Sequence, residues 1–224
     1  MAERWATFDC YGTIVDWNAG IRAELEKLFG VEHADRLLVR YHELEPEIQA
    51  ANPGHSYREV LTVALEQLAS EEGLMIEEGE TSALARSLPG WPVFEDVAAA
   101  LAEAKDQGWK LAILSNTDRD LLDASMDAIG VDFDGSIVAG EIGSYKPAKR
   151  HWEAFREQTG ADTGSHVHVA QSLFHDIATA KELGIPSIWI NRLDEPADER
   201  PDRTLASLTG LADALDELVP AGAR

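Results

Sequence analysis

With one cysteine in 224 residues, Cys10, the chain cannot form an intrachain disulfide. That usage suits a reducing compartment. Basic residues are scarce: 19 Lys and Arg stand against 41 Asp and Glu, a formal charge of −22. Such a surface repels nucleic acid and anionic membranes, so neither is expected as a partner. It also repels anionic ligands at long range, so any anion site has to be locally basic. No apolar run reaches membrane-spanning length, and the first residues carry no apolar signal segment. The expected location is the cytoplasm. What remains, 45% hydrophobic and 27% charged residues, is the composition of a globular protein. The length allows one α/β domain with a sizeable insertion, or two small domains.

The pattern along the chain divides into two parts. A short apolar stretch, Trp5 to Phe8, reads as a buried strand that ends on Asp9 and turns at Gly12. Helical spacing follows. Ile21, Leu25, Leu28 and Phe29 lie behind Asn18, a candidate cap, and Leu37, Leu38, Tyr41, Leu44 and Ile48 form one side of a helix from about Ala34 to Ala50. Asn52-Pro53-Gly54 breaks that helix. Further helices are expected near Tyr57 to Ser70 and Thr81 to Ser87, before the breaker Leu88-Pro89-Gly90-Trp91-Pro92. Four helices with no strand between them read as an insertion.

After Phe94 strands and helices alternate. Strands are expected at Leu111–Leu114, Ser136–Val138, His166–Ala170 and Ser187–Ile190. The helices between them run at about Val97–Gln107, Asp120–Ile129, Arg150–Thr159 and Ile177–Leu183, with a last one at Thr209–Leu218. Leu193 to Arg203, acidic and Pro-containing, reads as a surface loop. Such alternation predicts a doubly wound, mostly parallel α/β sheet covered on both faces. The expected division is a core of residues 1–15 and 90–224 with a helical cap of residues 16–89.

Four polar clusters follow predicted strands: Asp9, Ser115-Asn116, Lys146 and Asp176. Singly each has an ordinary reading as a helix cap or a solvated loop charge. Together, at the carboxyl edges of a doubly wound sheet, they can face one crevice.

Taken in order, Asp9-Cys10-Tyr11-Gly12-Thr13, Leu114-Ser115-Asn116, Tyr145-Lys146-Pro147 and Asp176 resemble the motifs of the haloacid dehalogenase superfamily. The block after Asp16 resembles its cap. Phosphatases of that superfamily use a second Asp in the first motif and a Gly-Asp in the fourth, and need Mg²⁺. Here Tyr11 and Ala170-Gln171 stand there. A phenol, protonated up to about pH 10, and a neutral amide are poor substitutes for magnesium carboxylates. The match is closer to the L-2-haloacid dehalogenases, in Phe8–Thr13, Leu111–Asn116, Ser144–Pro147 and Ile188–Arg192. Arg40–Glu45 resembles their helix with a halide-facing arginine. Two departures stand out. Gln171–Asp176 lacks the expected amide near Leu173 and has His175 for an aromatic; Trp152 replaces an expected phenol.

The resemblance implies a metal-independent hydrolysis of small 2-halo acids to 2-hydroxy acids, with no cofactor. Asp9 attacks carbon-2 and forms an ester. Arg40 and Asn116 receive the halide. Ser115, Lys146 and backbone N–H groups near Cys10 and Tyr11 hold the substrate carboxylate. Asp176 pairs with Lys146 and directs water, and Thr13 bonds Asp9. Trp152, Ser172 and His175 line the pocket. A homodimer is left open. The alternatives are a magnesium-dependent phosphatase, a hydrolase of another activated small acid, fluoroacetate included, and a non-catalytic binding protein on the same scaffold.

Overall fold

The structure is a computed structural model and describes residues 3–197 and 200–222. Among these residues lies one sheet of six parallel strands, in the order β3-β2-β1-β4-β5-β6. The strands are β1 (Arg4–Phe8), β2 (Trp109–Ser115), β3 (Gly135–Val138), β4 (His166–Ala170), β5 (Ser187–Ile190) and β6 (Arg203–Leu205). Every residue of β4 and β5 is buried, as expected where helices cover both faces. β6 begins at the end of the stretch expected to be loop; it is largely exposed and carries Arg203 at the sheet edge, where a charge blocks further pairing. Positions 198 and 199 of that stretch lie outside the described residues.

Helices α1 (Trp17–Phe29), α2 (Val31–Ala51), α3 (Tyr57–Glu72) and α4 (Ala83–Ser87) are all inserted between β1 and β2. The cap of α1 is Asp16, whose carboxylate accepts the Ala19 N–H at 3.0 Å, not Asn18. A carboxylate just ahead of the first turn meets the free N–H groups and the positive end of the helix. Ser56 and Glu59 close a capping box on α3. The start of α3 is also tied to the sheet: Asp118, beyond β2, accepts the Tyr57 and Arg58 N–H groups, each at 3.0 Å. That clamp fixes Tyr57 above the strand ends.

The remaining helices flank the sheet: α5 (Val97–Asp106), α6 (Arg119–Ile129), α7 (Ala139–Ile142), α8 (Arg150–Thr159), α9 (Ala178–Glu182) and α10 (Leu211–Leu218). Asp176 is not at a loop end, as expected, but inside one wide turn, Leu173–Ile177, that leads into α9. No described helix is long and apolar enough to cross a membrane.

Strand order decides where the site lies. From β1 the chain goes to β2 and β3 on one side, then returns to β4 on the other. The carboxyl ends of β1 and β4 therefore flank the switch point of the sheet, where open α/β folds leave a crevice.

Candidate active site

Asp9 follows β1 at that switch point, and its N–H donates to Val169 O of β4 at 3.1 Å. The chain must turn at once, and Gly12 makes this possible with φ of +105°. A Cβ there would lie 3.2 Å from Trp17 Nε1 and 3.3 Å from Gln171 Oε1, so a side chain would also press these two groups back by a few tenths of an ångström. Thr13, one turn on, donates to Asp9 Oδ2 at 2.8 Å and accepts the Gln171 N–H at 2.9 Å. One hydroxyl thus ties the loops after β1 and β4 together.

Lys146 is buried among acceptors. Its Nζ donates to Asp9 Oδ1 at 2.9 Å, Asp176 Oδ1 at 2.7 Å and Leu114 O at 2.9 Å. All three ammonium protons are used, which is what a buried charge requires. Burial alone would lower this amine, but the two carboxylates outweigh it and raise it. Burial also raises Asp9, helped by the charge on Asp176 and opposed by Lys146. For Asp176 burial pushes the same way, but Lys146 and His168 outweigh it and hold that carboxyl well below the usual range.

Behind Asp176 runs a buried chain. His168 Nε2 lies 2.9 Å from Asp176 Oδ1, His168 Nδ1 lies 2.8 Å from Thr7 Oγ1, and Thr7 Oγ1 lies 2.6 Å from His166 Nε2. An ionised Asp176 only accepts, so His168 donates through Nε2, Thr7 donates to His168 and His166 donates to Thr7. Asp176 Oδ2 is buried and has no hydrogen-bond partner among the described residues.

Asp9, Lys146 and Asp176 form the floor of a cavity of about 610 Å³. Ser115, Asn116, Gln171, Ser172, His175 and Tyr11 line it, and Trp17, His42, Glu45 and Tyr57 of the inserted helices form the opposite wall. Ser115 Oγ is buried and has no hydrogen-bond partner among the described residues, which leaves it able to meet a ligand. Asn116 does something other than expected. Its side chain accepts Lys146 N–H at 2.6 Å and donates to Lys146 O at 3.0 Å, which fixes the lysine loop. Ser172 Oγ lies 3.0 Å from His175 Nδ1. Burial pushes His175 down to about 4, so it is neutral at neutral pH.

Four expected residues do not reach the cavity through their side chains, one of them Thr13, whose hydroxyl is taken up by Asp9 and Gln171. Arg40 is on the outer face of α2, clasped by Glu71 at 2.8 and 3.1 Å and by Glu43 at 2.8 Å. The residues that α2 buries include Tyr41, Leu44, Glu45 and Ile48, and position 40 falls outside that stripe. Trp152 lies on the buried face of α8 and packs its ring edge-on to His168, 5.2 Å between centroids, behind the site. The Cys10 thiol is buried in the main apolar core, which leaves only the backbone of Cys10 for the pocket.

Glu45 is a site residue that sequence reasoning missed. It is only 5% exposed and accepts Gln49 Nε2 at 2.6 Å, while Gln49 Oε1 is 3.4 Å from Asn116 Nδ2. Burial pushes its carboxyl up to about 7. The signal was a carboxylate in register with the apolar stripe of α2, where a charge has no bland explanation.

The model of the haloacid dehalogenase-like hydrolases matches residues 4–184. The (S)-2-haloacid dehalogenase 4A of Burkholderia cepacia is 27% identical over 225 residues, 97% of this chain and 94% of that protein. A phosphoserine phosphatase of Thermus thermophilus is 27% identical over 88% of this chain and 86% of its own. The solved structure of an L-2-haloacid dehalogenase from Xanthobacter autotrophicus, with chloropropionic acid covalently bound, superposes with a TM-score of 0.84. It is 20% identical, covering 95% of this chain and 98% of that one. With its family model spanning most of the sequence, and Asp9, Lys146 and Asp176 gathered at the switch point, the chain belongs to the haloacid dehalogenase-like hydrolases.

Proposed function

We propose that the chain hydrolyses small 2-halo carboxylic acids to 2-hydroxy acids through an ester on Asp9, without a metal. The observation that carries this reading is the setting of Asp9. Its two oxygens each accept one hydrogen bond, from Lys146 and Thr13, and it faces the cavity. A carboxylate so held keeps a lone pair for attack at carbon-2. At the positions where phosphatases of the superfamily resemble Asp-x-Asp and Gly-Asp, Tyr11 and Gln171 are engaged elsewhere. Tyr11 Oη bonds Ser125 Oγ at 3.0 Å, and Gln171 Nε2 bonds Glu195 at 3.3 Å.

In this mechanism the substrate carboxylate binds Ser115 Oγ and the backbone N–H groups of Cys10 and Tyr11. Asp9 displaces the halide, and the configuration at carbon-2 inverts. Asp176 Oδ2, unpartnered and lining the cavity through its residue, accepts a proton from the water that attacks the ester carbonyl. The helical segment 16–89 acts as a cap that shields the reaction from bulk water. Lys146 keeps Asp9 and Asp176 apart as an ion triad, and Asn116 keeps Lys146 in place.

Incubation with bromoacetate, chloroacetate and L-2-chloropropionate should release halide equally with and without excess EDTA. Activity that requires added Mg²⁺ and releases phosphate from phosphoesters would replace this reading with the phosphatase. Arg40→Ala should release halide as fast as Arg36→Ala, a residue paired on the surface with Glu72 at 2.6 Å. A drop confined to Arg40→Ala would return the halide role to that guanidinium.

A further inference from the structure

We propose that His168 is a positioning residue for the second chemical step, the hydrolysis of the ester on Asp9, and that it fixes which oxygen of Asp176 meets the attacking water. The inference rests on the dehalogenase reading above. Lys146 Nζ at 2.7 Å and His168 Nε2 at 2.9 Å both donate to Asp176 Oδ1. A carboxylate oxygen has two lone pairs, so Oδ1 is fully taken. Oδ2 is buried, has no hydrogen-bond partner among the described residues, and is the oxygen left to accept a proton. Asp9 is held differently. Its oxygens accept one bond each, from Lys146 and from Thr13, so neither is saturated.

Lys146 alone does not impose this arrangement. An ammonium acts as a point charge and pairs with either oxygen of a carboxylate. The second donor stops the carboxylate from turning, and that donor is itself fixed. Thr7 of β1 is the register partner of His168 on β4. Its Oγ1 lies 2.8 Å from His168 Nδ1 and 2.6 Å from His166 Nε2. Burial pushes His166 down to about 3, so it is neutral and has one ring N–H to give. Trp152 and Phe155 of α8 close the file from one side, with ring centroids 5.2 Å from His168 and 4.9 Å from His166. The fold does not require such a file. Val167, Val169 and Ala170 on the same strand are apolar, and apolar groups at 7, 166 and 168 would be buried without needing partners. At the site the hydrogen bonds of the file end on Asp176.

The two steps use Asp176 differently. In the first, an Asp9 oxygen bonds carbon-2 and the halide leaves with the bonding pair; no proton moves. In the second, the water oxygen bonds the ester carbonyl carbon of Asp9 while Asp176 Oδ2 takes one of its protons. The tetrahedral adduct then breaks its bond to the alkoxide oxygen, which takes that proton back from Asp176 and leaves as the 2-hydroxy acid. The other water proton stays on the regenerated Asp9 carboxyl and is lost to solvent. Loss of the His168 N–H should therefore slow the second step and spare the first.

The test mixes the full chain, in excess, with bromoacetate and quenches in acid at successive times. Bromide, read by ion chromatography, reports the first step. The rise and loss of the carboxymethyl ester on Asp9, read by intact mass, report the second. His168→Leu should release bromide within about threefold of the wild-type rate and lose the ester about 100-fold more slowly, so that the ester accumulates. His168→Gln, which keeps an N–H within reach of Asp176, should bring ester loss back to within about tenfold of wild type. A merely structural histidine would not divide the two steps. Equal slowing of both steps in His168→Leu, ester loss at the wild-type rate, or a Gln variant no better than Leu would overturn the assignment. Should His168→Leu fail to fold, Thr7→Val decides: it removes the bond to His168 Nδ1 and should slow ester loss alone, and unchanged ester loss overturns the assignment. A wild-type protein that releases no bromide and gains no mass at Asp9 would overturn the dehalogenase reading and this inference with it.

Discussion

Asp9→Asn is expected to fold like the wild-type protein and to stop turnover, with halide release falling by about 10⁴-fold or more. The reason is local. Asp9 is the one carboxylate at the carboxyl end of β1, and its oxygens accept from Lys146 Nζ at 2.9 Å and Thr13 Oγ1 at 2.8 Å. An amide of the same shape occupies the site but cannot form the ester. It also leaves Lys146 paired with Asp176 alone, which suffices to keep the lysine charged and buried. Intact mass should show no substrate adduct on the variant. The same spectrum has to confirm that the introduced amide has not reverted to a carboxylate, since hydrolysis in place would restore activity. Near-normal steady-state release by a verified Asp9→Asn protein would remove Asp9 from the mechanism.

Lys146→Met should be the most damaging substitution for stability. Methionine fills a comparable volume but leaves Asp9 and Asp176 buried against each other without a counter-charge. Removing one member of a buried ion cluster costs about 3–5 kcal/mol. The effect depends on pH with a definite sign. In the wild-type protein the folded Asp176 carboxyl lies below its unfolded value, so its stabilisation is present above about pH 4 and is lost as the pH falls further. Without Lys146 both carboxyls rise, and the variant should instead gain stability as the pH is lowered from 7 toward 4. Urea unfolding at pH 7 and pH 4.5 reads both numbers. Turnover should fall by about 10²–10³-fold or more even where the variant is folded, because a protonated Asp9 is no nucleophile and Asp176 loses its orientation. Equal stability losses at both pH values would mean that Lys146 packs without neutralising the acids.

The elements of the fold were not equally legible in the chain. β1, the motifs after β2 and β4, and the run of parallel strands were readable because buried parallel strands are nearly continuous apolar runs and end abruptly on polar residues. The inserted helices were readable from their 3.6-residue spacing and from the breakers at Asn52-Pro53-Gly54 and Leu88–Pro92. β6 was not: three residues on an exposed edge, following an acidic loop, carry no apolar pattern. The wide turn at Leu173–Ile177 escaped for a related reason, because a single turn has no period to read.

The site shows the same division. The sequence by itself determined which groups stand at strand ends, since strand ends and their succession along the chain are set by local pattern. Asp9, Ser115, Lys146 and Asp176 follow from that, as does the need for glycine at position 12. Only the tertiary structure decided what faces them. Arg40 and Glu45 are on the same helix, both ionisable and five positions apart. Which one enters the cavity depends on the rotation of α2 against the sheet. The packing of Tyr41, Leu44 and Ile48, the Glu71 carboxylate on α3, and the Asp118 clamp on the start of α3 fix that rotation. The Arg40–Glu71 and Tyr57–Asp118 contacts join residues 31 and 61 positions apart. No local pattern encodes them, which is why the sequence named the floor of the site and the fold alone named its opposite wall.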